Sequence, residues 1–239
     1  FPLLAQDSAH AAAPPKIAPA PRLTAPLPVD PALTIGTLPN GMRYYIRVNH
    51  RPEKRAELRL VVNAGSVLED SSQRGLAHMV EHMAFSGTTH FRKQELVDYL
   101  ESTGVRFGAD LNASTSFDET IYELTVPTDS ARLFEKGFQI LADWSRALTF
   151  DSTELARERN VVIEEWRLGR GASARMRDKQ FPVVFSGSRY ANRIPIGDKH
   201  TLETAPRSQV KRFYDDWYRP DLMAIVAVGD FDKLKVERL

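Results

Sequence analysis

Apolar side chains recur along this chain with two different periods, and the periods predict its elements. Leu38-Pro-Asn-Gly-Met42 is a turn signal feeding a strand at about Arg43–Val48. Glu57–Asn63 alternates apolar and polar positions, the pattern of a half-buried strand that ends at Ala64-Gly65. From Arg74 to Phe85 the spacing turns helical, and a second helix over Arg92–Thr103 stops at Gly104. Two strands follow, Val105–Ala113 and Glu119–Val126, joined by a polar turn through Ser114–Asp118. Asp129–Leu148 then reads as a long amphipathic helix. Asp151-Ser-Thr-Glu154 has the form of a capping box, so another helix is expected over Ser152–Leu168. A last helix near Ser208–Trp217 precedes an apolar strand, Met223–Asp230, and a further helix begins in FDKLKVERL.

Strands and helices mix without strict strand–helix–strand alternation. The expected fold class is therefore α+β, with one mostly antiparallel mixed sheet carrying helices packed on one face. The first thirty residues depart from this patterning, because half of them are Ala or Pro. Residues 1–30 are expected to be a flexible arm and 31–239 a single domain. FPLLA followed by small residues has the form of the tail of a secretory signal, an Ala/Pro linker that carries no address being the alternative, and Phe1 is no initiator Met. The helical pattern is still running at Leu239, so the chain is expected to be one piece of a longer protein.

Composition narrows the chemistry. Lys and Arg total 32 against 31 Asp and Glu, and a net charge of +1 offers no electrostatic footprint for nucleic acid or an anionic membrane. No run approaches the roughly 18 apolar residues of a transmembrane helix. Cysteine is absent, which removes disulfides, thiolate nucleophiles and thiolate metal sites. A metal would have to be held by carboxylates and by the six His.

Two of those six fall in Gly75-Leu-Ala-His-Met-Val-Glu-His-Met83, arranged H-x-x-E-H. On a helix His78 and His82, at i and i+4, can each turn an imidazole nitrogen to one ion. Glu81 lies beside them, free to take a proton from water, as a hydrolytic zinc site requires. The surrounding Leu76, Ala77, Met79, Val80, Met83 and Phe85 leave little solvated surface, so the polar trio must find partners, and a metal satisfies all three. A third ligand is best sought among the carboxylates of Ser152–Leu168. Glu158 and Glu165, seven apart, stack on one helix face and Glu164 points about 100° away, yet by spacing alone a solvated face is the better reading of this pair.

The motif and its surroundings resemble the pitrilysin/insulysin family of zinc peptidases, and most of all its bacterial periplasmic members. The likeness covers Leu38–Met42, Gly65-Ser-Val67, Gly75–Thr88, Leu111–Thr115, Glu158–Trp166 and Phe213–Tyr218 through Val228–Asp230. It implies His78, His82 and Glu165 as ligands of one Zn²⁺ per chain, Glu81 as general base and Glu158 as an acid supporting the site. It further implies that Asn112 and Ala113 lie on an edge strand that binds extended peptide. The implied activity is endopeptidase cleavage of extended peptides or partly unfolded proteins; a non-catalytic, peptide-binding scaffold is the alternative. The implied partners are that substrate and a second homologous half, and the implied location is the periplasm or the cell exterior.

Overall fold

A computed structural model describes residues 28–102, 104 and 111–239. The expected arm, apart from its last three residues, and positions 105–110 of the expected strand Val105–Ala113 lie outside the described residues.

Pro31–Leu239 forms one compact unit. It begins with β1 (Leu33–Thr37), β2 (Arg43–Val48) and β3 (Arg55–Val62), followed by α1 (Leu76–Ala84) and α2 (Lys93–Ser102). The pair β4 (Leu111–Thr115) and β5 (Thr120–Pro127) leads into α3 (Ala131–Arg146) and α4 (Ser152–Leu168). Then come α5 (Ala172–Val184), α6 (Lys199–Thr204), α7 (Arg207–Trp217), β6 (Met223–Gly229) and α8 (Lys233–Arg238). Among the described residues six strands form one sheet in the order β1-β2-β6-β3-β5-β4. Only the β2–β6 pair is parallel. The chain is therefore α+β with a mostly antiparallel sheet, as the patterning predicted.

The alternation in β3 sets the two sides of the sheet. Ala56, Leu58, Leu60 and Val62 are buried, while Glu57 and Arg59 face solvent. On the wet face Arg59 stands opposite Glu123 and pairs with it at 3.1 Å, and Thr125 donates to Glu57 across the same two strands at 2.7 Å. On the dry face α3 packs against β3 and β5. It comes close because position 137 is glycine: a Cβ there would lie 3.0 Å from a Val126 methyl and 3.2 Å from a Leu58 methyl. Trp144, fully buried, donates its indole N–H to the Ala84 carbonyl at 3.0 Å and so ties α3 to the end of α1.

Some boundaries differ from the pattern. Ser114 and Thr115, expected in a turn, continue β4, since pairing with Ile121 and Thr120 carries the ladder two residues further. β1 escaped notice because LTIGT is short and only half-buried; it is held by its register against β2. The α5 helix gave no periodic signal, having only Ala174 buried and Pro182 within it.

Candidate metal centre

The helix carrying H-x-x-E-H is fixed at its start by groups outside its own sequence. Gly75 precedes α1 in the left-handed region (φ 98°), and a Cβ on Gly197 would collide with the Gly75 backbone. No α1 cap residue serves the first N–H groups. Instead Glu69 reaches in from the preceding loop, and its Oε1 accepts from Gly75 N at 3.0 Å and Ala77 N at 2.9 Å. The Glu69 carbonyl in turn accepts from Arg193 Nε at 2.9 Å and from Arg189. Burial pushes the Glu69 carboxyl up to about 8, although the helix N–H groups and Arg193 pull the other way.

Leu76, Ala77, Met79, Val80, Met83 and Ala84 bury most of the α1 circumference. His78 and His82 occupy the remaining face, each with a side chain 17% exposed, and α4 packs against it. α4 is started by Asp151, whose Oδ1 accepts from Thr153 N at 2.8 Å and Glu154 N at 3.0 Å. Packing brings Glu165 to the imidazoles: its Oε2 lies 3.7 Å from His78 Nε2 and 3.6 Å from His82 Nε2, and the two Nε2 atoms are 3.3 Å apart. Glu164 points away and pairs with Arg167.

The triangle His78–His82–Glu165 suits a divalent ion in donor type and spacing. Tetrahedral bonds of about 2.0–2.1 Å place neighbouring ligand atoms about 3.3–3.4 Å apart. The two Nε2 atoms stand 3.3 Å apart, close enough to share one ion or one proton. Burial and the neighbouring His82 hold His78 down to about 4, which keeps that imidazole neutral and able to ligate.

Glu158 orients the second imidazole. Its Oε2 lies 3.3 Å from His82 Nδ1, while its Oε1 accepts from Ser86 Oγ at 2.9 Å and Lys93 Nζ at 3.0 Å. Lys93 also donates to Glu154 at 2.9 Å. Burial alone would raise Glu158, but the bonds from His82, Lys93 and Ser86 outweigh it and leave the carboxyl at about 2. His82 moves up: burial opposes its charge, and the bond to Glu158 with the nearby Glu165 and Glu81 charges prevails.

Glu81 is 7% exposed, and burial raises its pKa against the hydrogen bond it accepts from Thr115 Oγ1 at 2.5 Å. Thr115 ends β4, one of the two edge strands of the described sheet, on which Asn112 is exposed and Ala113 half-buried. One strand thus carries both expected peptide-binding positions and the partner of Glu81. Thr115, Ser86, Lys93 and Glu69 were not picked out beforehand. Each serves a residue on another element, Glu69 from the loop just before α1 and the others from 34 to 72 positions away, and no spacing rule connects them.

Other histidines lie elsewhere. His90 Nδ1 pairs with buried Asp143 at 2.7 Å, and His50 Nδ1 with Asp230 at 2.7 Å.

Known proteins place this arrangement in context. Residues 45–170 match the model for insulinase (peptidase family M16), and residues 204–239 match that for the peptidase M16 inactive domain. A zinc protease PQQL-like protein of Arabidopsis thaliana is 46% identical over 84% of this chain and 21% of its own length. The probable zinc protease PqqL of Escherichia coli is 38% identical over 88% of this chain and 23% of its own length. The crystal structure of the first half of that periplasmic protease superposes with a TM-score of 0.84, covering 89% of this chain and 46% of the solved one, at 38% identity. The chain thus spans about a fifth to a quarter of the length of the curated relatives it matches.

Proposed function

This chain belongs to the insulinase family of peptidases, family M16, and from that membership we propose that it is the metal-bearing part of a zinc-dependent endopeptidase. The observation that carries the proposal is the convergence of His78 Nε2, His82 Nε2 and Glu165 Oε2 within 4.8 Å of one another. Relatives named zinc proteases support zinc as the ion, and the His78–His82–Glu165 triad would hold one per chain. When bound, zinc polarises the scissile carbonyl and makes water acidic near neutral pH.

The side chains divide the remaining work. Glu81 takes the proton from the attacking water and returns it to the leaving amine. Its hydrogen bond from Thr115 fixes the carboxylate, and its raised pKa lies on the side that favours proton uptake. Glu158 holds His82 by its Nδ1, so that Nε2 presents a lone pair to the ion. Asn112 and Ala113 pair an extended substrate to the edge of the sheet, where backbone bonding serves many sequences. Substrates are extended peptides or partly unfolded proteins.

A second homologous half completes the working enzyme, a reading supported by the half-molecule nature of the matched E. coli structure. That relative is described as periplasmic, which supports a periplasmic or secreted location here. No helix among the described residues is long and apolar enough to cross a membrane, and the near-neutral charge argues against a nucleic-acid partner.

The test is Glu81→Gln in the full-length protein. It retains one zinc per chain by elemental analysis and loses at least about a hundredfold in kcat on a quenched peptide. A wild-type protein without zinc, or a variant that keeps full turnover, refutes the reading.

A further inference from the structure

Beside the metal centre lies a cavity of about 170 Å³, lined by Glu165 and Trp166 from α4, Arg177 and Asp178 from α5, and Ile194 and Ile196 from the segment before α6. It adjoins a second cavity of about 250 Å³ with which it shares Asp178, Ile194 and Gly197. Together they make a groove that begins at a metal ligand and leads away from it.

The charges in this groove are almost all spent on one another. Asp178 pairs with Arg170 at 2.6 Å, and Arg74 pairs with Asp198 at 3.1 Å. Glu165 is turned toward the two imidazoles. Arg177 is different: among the described residues no carboxylate pairs with it, although it lines the same wall as Glu165. Arg177 is exposed, and its guanidinium, on a wall shared with half-buried Trp166, Ile194 and Ile196, offers an incoming carboxylate a planar pair of donors. The cavity has the size for one side chain.

We propose that Arg177 is a specificity-determining residue, and that this cavity takes an acidic side chain, Asp or Glu, from a substrate residue flanking the scissile bond. The proposal rests on the peptidase reading above for its substrate, and on the unpaired Arg177 in the cavity for its selectivity. It deepens that reading by naming a substrate class, since edge-strand pairing through the backbone is indifferent to side chains.

The experiment uses quenched peptides amidated at their C-termini, so that a side chain supplies the carboxylate under test. Glu, its neutral isostere Gln, or Lys is placed in turn at each position around the scissile bond. With the zinc-loaded full-length protein, kcat/KM favours Glu over Gln by about tenfold at one position. The preference falls to near parity in Arg177→Ala, and in Arg177→Glu it is replaced by a preference for Lys over Gln. Identical Glu-to-Gln ratios in the wild type and both variants overturn the proposal. The same peptides, labelled and titrated into full-length Glu81→Gln protein, give an independent readout by fluorescence anisotropy. There the Glu peptide binds more tightly, and adding Arg177→Ala removes the difference; equal binding with and without Arg177 overturns the proposal. This arm decides the role of Arg177 even if no peptide is cleaved, a result that would count against the peptidase reading alone.

Discussion

Replacing Glu69 by Gln should change how the stability of this protein depends on pH. The Glu69 carboxyl is fully buried; one oxygen caps α1 and the other, Oε2, has no hydrogen-bond partner. Ionisation would place a charge where only one oxygen is solvated by the protein, so the folded carboxyl holds its proton up to about 8. The unfolded chain releases that proton near the ordinary 4.5. The sign follows from linkage: a raised folded pKa gives stability that is fully present below about 4.5 and lost as pH rises toward about 8. At about 1.4 kcal/mol per pH unit, the gap bounds the loss at roughly 5 kcal/mol, and water reaching the site on local opening will reduce it. Gln at this position keeps an acceptor for the α1 N–H groups and cannot titrate. Urea unfolding of both proteins, with chelator present throughout, should give a wild-type-minus-variant stability that falls by several kcal/mol between pH 5 and pH 8. Taking the difference removes the protonation of His78 and His82, which both proteins share. Glu69→Ala, in contrast, leaves the N–H groups of Gly75 and Ala77 without their acceptor and should cost roughly 2–4 kcal/mol even at low pH. Parallel pH curves for wild type and Glu69→Gln would refute the argument that burial governs this carboxyl.

Other perturbations have equally definite outcomes. Glu158→Gln breaks the charged anchor on His82 Nδ1 and should weaken zinc binding about 10–100-fold in a chelator competition, with folding retained by circular dichroism. Unchanged zinc affinity would show that His82 is oriented by the α1 backbone alone. Gly137→Val forces methyl groups into Val126 and Leu58 and should destabilise the protein by about 1–3 kcal/mol, seen as a lower urea midpoint. Thr115→Val removes the hydrogen bond to Glu81 and should lower kcat on a quenched peptide with zinc content unchanged; equal kcat would assign Thr115 to the strand and not to the base.

The elements that could be read from the chain are those whose signal is local. α1, α3 and α4 announce themselves because each has a periodic apolar stripe or an explicit cap, such as Asp151 before α4. Strand β3 is equally plain, with Leu58 and Leu60 alternating against Glu57 and Arg59. Where burial is slight the signal vanishes. α5 presents only Ala174 to the interior, and β1 exists because β2 offers it an edge to pair with.

The site divides along the same line. That two imidazoles and a carboxylate share one turn of helix follows from the period of the α-helix, and the sequence by itself determined it at His78, Glu81 and His82. Three glutamates of α4 were candidates to join them; helical spacing sets Glu164 about 100° from Glu158 and Glu165 but has no means of choosing which face meets α1. The packing of α4 on α1 chose, bringing Glu165 to both Nε2 atoms, setting Glu158 behind His82 and leaving Glu164 to Arg167 in solvent. Thr115 on Glu81, Lys93 on Glu158 and Glu69 at the head of α1 were likewise decided only in three dimensions. Each is a contact between elements whose separation along the chain carries no period. The sheet that makes these contacts possible requires β6, from the end of the chain, to lie between β2 and β3. A pattern read along one dimension fixes which face of a helix is polar; which other face it meets depends on how the whole chain closes.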